Sequence, residues 1–89
     1  MTIQTAKKIY LDTFKECRKL IVNFEDESIE NEEYNIAYNL ECYNGYLDEI
    51  YSTYHKTLDS VKYEITTSWL KHYTNILNKY MQEVKVLVE

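Results

Sequence analysis

The chain has no proline and a single glycine, Gly45, in 89 residues. β-Hairpins need tight turns, and the short turns that join strands draw on glycine, most strongly as Asn-Gly or Asp-Gly. Here such turns would have to be built almost entirely from Asn and Asp, whereas a long helix needs no breaker inside it. The expectation is an all-α fold. The 45% hydrophobic content is that of a packed chain rather than a disordered one. A domain this short buries a modest share of its surface and often gains stability by self-association.

The apolar residues recur with helical period. Ile3, Ala6, Tyr10, Cys17, Ile21 and Phe24 follow one another at steps of three, four and seven, which predicts a helix over 2–24. Lys8, Asp12, Lys15 and Lys19 lie on its other face. A second stripe, Ile29, Ile36, Leu40, Tyr43, Leu47, Ile50, Tyr54 and Leu58, predicts a helix over 28–57 that keeps its phase through Gly45. Asp26 or Ser28 would cap its start, and Glu30, Glu32 and Glu33 suit the positive end of its dipole. A break is expected between Leu58 and Ser68, where Asp59-Ser60 and Thr66-Thr67-Ser68 offer caps and the β-branched pair weakens helix. Beyond it, Trp69, Tyr73, Ile76, Tyr80, Val84 and Leu87, joined by Leu70, Leu77, Met81 and Val88, form an arc broad enough to need cover on two sides. The predicted architecture is an antiparallel bundle of three long helices (2–24, 28–57 and 60–88) in one domain, 1–89. A four-helix variant would arise from a break at Gly45 or Ser68. Cover for the last helix comes from the bundle or from a second copy of the chain. Trp69, Tyr73, Leu77, Met81 and Val84 are therefore candidates for a homo-oligomer interface.

Charge is segregated along the chain. From Leu20 to His55 there are nine carboxylates and no lysine or arginine, so the net charge of −5 divides as +3 before Leu20, −9 through His55 and +1 after it. Six tyrosines share the acidic stretch. Phasing the middle helix on its apolar stripe puts Glu30, Tyr34, Tyr38, Glu41 and Asp48 on the opposite side. One reading of that face is ordinary solvated edge, or surface covered by the third helix. The other is a partner-binding site, because tyrosine offers rigid apolar area plus a hydroxyl and carboxylates select basic partners. The run Glu25–Glu33 has parallel readings: a solvated helix start, an internal partner of Lys15–Lys19 in an antiparallel hairpin, or a recognition element for a basic groove on another protein. Direct nucleic-acid binding is not expected, since the middle segment repels phosphate and the first helix dilutes five cations with two acids.

Catalytic signatures are missing. One glycine cannot build a phosphate loop. His55 and His72 stand seventeen residues apart, at no metal-motif spacing. Cys17 falls on a core stripe and shares no CxxC spacing with Cys42, so both read as reduced thiols, Cys17 as a buried structural one. No apolar run approaches a membrane span, and MTIQTAKKIYLD is too polar for a secretory signal. The expected setting is cytoplasmic, with no membrane, metal or cofactor. Heavy use of Ile, Asn, Lys and Tyr with one arginine suggests AT-rich coding, as in a low-GC bacterium, its phages or plasmids, or a large virus. Small size, acidity and the lack of catalytic groups resemble, in a generic way that no motif carries, phage- or plasmid-encoded helical inhibitors and immunity proteins. The expected function is a non-enzymatic interaction module that regulates or inhibits a protein with a basic surface through Glu30, Tyr34, Tyr38, Glu41 and Asp48, with carboxylates standing in for phosphates where the partner's groove handles nucleic acid. The alternative is a structural or assembly subunit whose essential contacts are homo-oligomeric.

Overall fold

The computed structural model describes residues 2–59 and 66–89, the side chains of 55–59 excepted. Among these residues there are three helices and no strand: α1 (Ile3–Glu30), α2 (Tyr34–Asp59) and α3 (Thr67–Val88). α1 packs along both of the others, which touch each other far less. It runs antiparallel to α2, with Phe14 against Tyr51 and Arg18 reaching Asp48. α3 is antiparallel to α2 in turn, with Tyr54 against Trp69 and Tyr43 against Tyr80. At 28 residues, α1 sets the long dimension of a molecule measuring 46 × 23 × 14 Å.

Most inward residues follow the predicted stripes, but Ser28 and Ala37 are buried off them and Ile3, at the head of the first, is exposed. α1 buries Ala6, Tyr10, Cys17, Ile21 and Ser28; α2 buries Ala37, Leu40, Leu47, Ile50 and Tyr54; α3 buries Leu70, Leu77, Met81 and Val84. Alternating small residues (Ala6, Cys17, Ser28) with large ones (Tyr10, Ile21) lets α1 interdigitate with two neighbours at once. Each fully buried leucine contributes about 1.5–3 kcal/mol. Threonines start two of the helices. Thr2 Oγ1 accepts from the Thr5 N–H at 3.2 Å, and Thr66 Oγ1 accepts from the Trp69 N–H at 3.1 Å. Of the caps offered between Leu58 and Ser68, Thr66 is the one that opens α3. Residues 60–65, where the pattern places the start of the third helix, lie outside the described residues, as do the side chains of His55, Leu58 and Asp59.

The first two helices meet later than their sequence pattern predicts. α1 does not stop near Phe24; it continues to Glu30, and α2 begins at Tyr34 rather than at 28. Nothing in Glu25–Ser28 opposes helix. Ser28 is therefore buried inside α1 instead of capping α2, and Ile29 stands half exposed on α1 rather than heading the α2 stripe. The chain reverses through Asn31–Glu33. Glu32 takes the left-handed conformation with φ 59°, its N–H donates to the Ile29 carbonyl at 3.1 Å, and the Glu33 N–H donates to the Ser28 carbonyl at 2.8 Å. These bonds satisfy two of the last carbonyls of α1. Glycine usually fills the left-handed position; a side chain there costs about 1 kcal/mol. Gly45, by contrast, lies within the unbroken α2, exposed, and a Cβ built on it would meet nothing within 4 Å.

The two backbone sites are misassigned in opposite senses, with a glycine in a helix and a glutamate in a left-handed turn. Gly45→Ala is expected to stabilise the fold by about 0.5–1 kcal/mol and Glu32→Gly by about 1 kcal/mol, additively, in urea denaturation. Destabilisation by Gly45→Ala would mean that α2 breaks there. Destabilisation by Glu32→Gly would mean that the reversal is built differently.

Candidate functional site

At 3.6 residues per turn, Tyr34, Tyr38 and Glu41 fall within about 60° of one another and roughly opposite Leu40, Leu47 and Tyr54. The inward stripe anchors α2, and this set is left outside. Tyr34 is 64% exposed and Tyr38 67%, and Glu41 is exposed beside them. Neither tyrosine ring meets another ring among the described residues. Of the other two residues expected on this face, Asp48 shares it, with its side chain 70% exposed, and Glu30 does not. Glu30 is the last residue of α1, across the reversal from Tyr34. Asp48 is on α2, but its carboxylate is held by Arg18 at 2.6 Å.

Arg18, the only arginine, ties α1 to α2. One guanidinium nitrogen donates to Asp48 and another to Asn44 Oδ1 at 3.2 Å, while Asn44 Nδ2 donates to Glu25 at 3.0 Å. Its charge also lies 5.5 Å from the centre of the Phe14 ring. The expected pairing of Lys15–Lys19 with Glu25–Glu33 does not form in a hairpin, because Lys15–Lys19 and Glu25–Glu30 lie on the same helix.

That continuity creates an acidic pole. Glu25, Asp26, Glu27 and Glu30 occupy the last turns of α1, and Glu32 and Glu33 follow in the reversal. α1 has no base in its last turn and no acid in its first. Its C-terminal carboxylates thus sit at the negative end of its dipole with no base beside them in the last turn, an opposition that costs about 0.3–1 kcal/mol per charge in the terminal turn at low salt. Among the described residues, no group of three or more His, Cys, Asp or Glu is placed to hold a metal ion.

A second feature lies on the α2–α3 seam. The rings of Tyr43, Tyr46 and Tyr80 stand 5.5–5.8 Å apart, centre to centre, and the Tyr43 hydroxyl donates to Glu83 at 2.6 Å. Beside them runs a groove of about 210 Å³ lined by α2 and α3 alone, with Tyr46, Glu49 and Ile50 on one side and Tyr73, Ile76 and Tyr80 on the other. Apolar periodicity assigns Tyr43, Tyr54, Tyr73 and Tyr80 to core stripes. Tyr54 is buried, but the other three are half-buried and border the seam. Tyr46 and Glu49 receive no role from that periodicity. The available signal was two matching stripes, Tyr46-Ile50-Thr53 and Tyr73-Ile76-Tyr80, which become one site only once the helices are neighbours.

The residues proposed for self-association are part of this chain's own core. Leu77, Met81 and Val84 are buried, and Trp69 and Tyr73 are half-buried against them. The broad arc of α3 thus finds cover within the bundle, while Val86 remains exposed. Both cysteines are free thiols. No described helix is long and apolar enough to cross a membrane. No protein-family model matches the chain, and neither a curated protein nor a solved structure does.

Alkaline titration reads this packing directly. The hydrogen bond to Glu83, then burial, pushes Tyr43 from 10 up to about 12; burial pushes Cys17 from 9 up to about 11 and also raises Tyr54 and Tyr80. A raised folded-state pKa contributes stability that is complete below the unfolded pKa and is lost as pH climbs through the folded one. Stability should hold to about pH 9 and fall between there and pH 12. Glu83→Gln should return Tyr43 toward 10, seen as an earlier rise in phenolate absorbance. An unchanged titration curve would remove Glu83 as the cause.

Proposed function

We propose that the chain is a non-catalytic interaction module that binds another protein by a basic surface and thereby regulates or inhibits it. The contact is the outer face of α2, Tyr34, Tyr38 and Glu41, extended at the reversal by Glu30 and its acidic neighbours. The supporting observation is the exposure of Tyr34 and Tyr38 on the face opposite the α2 core stripe. Rigid amphipathic rings gain most from desolvation by a partner and lose little side-chain entropy on binding. The carboxylates choose the partner's charge and speed encounter. Where the partner's groove ordinarily holds nucleic acid, carboxylates substitute for phosphates and the rings for stacked bases.

A second reading, self-assembly, draws on a different surface. Leu11, Val22 and Ile29 fall nearly in line along α1 and are 44%, 39% and 50% exposed. A second copy covering that line would make the essential contacts homo-oligomeric.

Affinity capture from a lysate, comparing the wild type with Tyr34→Ala/Tyr38→Ala/Glu41→Lys, separates the readings once circular dichroism confirms equal helicity. The binding reading predicts a basic protein that the wild type captures, salt displaces and the triple variant loses. Capture of the same partner by both proteins would defeat this contact, and recovery of the chain alone with dissociation by Val22→Asp would favour self-assembly.

A further inference from the structure

We propose that the α2–α3 groove receives an arginine side chain, its guanidinium stacking on Tyr46 and Tyr80 and pairing with Glu49. The proposal rests on the reading above for the existence of a basic partner and adds the side chain that the partner must present. Three observations support it. At about 210 Å³, the groove has room for one long side chain. Its lining includes Tyr46, Tyr73 and Tyr80, whose ring faces attract cations, together with Ile50 and Ile76, whose apolar surface suits the methylenes of an arginine. Its charge is negative: Glu49 lines it, and Glu83 is held beside it by the Tyr43 hydroxyl.

No cation of the chain occupies this place among the described residues. Arg18 lies on Phe14. Lys79 approaches Glu83 at 3.9 Å with its side chain 75% exposed, and does not line the groove. Burial, and after it the nearby Glu83, Tyr46 and Glu49, raises the Tyr80 pKa, in keeping with two carboxylates close to that ring. A purely apolar occupant would strip water from Glu49 and return no charge. Guanidinium fits better than ammonium, being planar, weakly hydrated and able to stack while it pairs with a carboxylate.

The test needs no partner. Ring signals of the tyrosines are followed by NMR while Nα-acetylarginine methylamide is titrated at constant ionic strength, with the neutral citrulline compound and the lysine compound as controls. Saturable shifts are expected at Tyr46 and Tyr80 and not at Tyr34 or Tyr38. Binding should weaken about tenfold in Glu49→Gln, whose position is exposed and whose fold is checked by circular dichroism. Absence of saturable shifts, equal shifts from the citrulline or lysine compound, or undiminished binding by Glu49→Gln would overturn the assignment. Such a failure leaves the Tyr34–Tyr38 contact standing. Conversely, capture that survives the triple variant defeats that contact without touching this result.

Discussion

Burial of α1 on two sides is the constraint on which the rest of the molecule depends. Tyr10, Cys17 and Ile21 on this one helix are removed from solvent almost completely, and no other element packs closely against both neighbours. α2 and α3 meet mainly through rings. Because α1 occupies only one stripe of α2, the opposite face of α2 is left in water. Because α2 and α3 do not close against each other, their seam stays open as a groove. Both candidate binding features are consequences of where α1 sits.

The two ends of the molecule differ in chemistry. At one, the rings of Tyr10, Tyr54 and Trp69 cluster with centres 5.0–5.8 Å apart and Trp69 meets Tyr73 at 4.5 Å. Such contacts contribute beyond area burial. The other end carries the acidic pole, where carboxylates oppose the dipole of α1 and a glutamate holds a left-handed turn. Small domains have only a few kcal/mol of net stability, so penalties of this size are substantial. A basic partner near this end would relieve the first of them, which is how the pole and the outer face of α2 come to belong to one proposal.

The helical class and most of the core were legible in the sequence, since Leu40, Leu47 and Tyr54 or Leu70, Leu77 and Val84 repeat at seven-residue steps and face inward. Continuity through Gly45 was legible for the same reason: the stripe does not change phase there. The reversal at Asn31–Glu33 was not. A left-handed turn is ordinarily marked by glycine, and with glutamate in that place the acidic run reads as a helix start. Ile29 and Glu30 consequently belong to α1, although the periodicity assigns them to the second helix. Helical phase alone put Tyr34 and Tyr38 opposite the core stripe, but that the face stays uncovered depends on where α3 packs. The pairing of Asp48 with Arg18, and the groove between Tyr46 and Tyr80, depend on which helices become neighbours and at what height, and neither is written in the periodicity of one helix.

The central claim is that the tyrosines divide into a packed set and a set left on the surface for a partner. Nitration of the native chain with tetranitromethane, mapped to each residue by mass spectrometry over time, measures that division. The account predicts that Tyr34 and Tyr38 react first without loss of helicity, Tyr46 and Tyr51 at intermediate rates, and Tyr10 and Tyr54 last. Protection of Tyr34 and Tyr38 to the level of Tyr10 would contradict it, because the outer face of α2 would then already be covered.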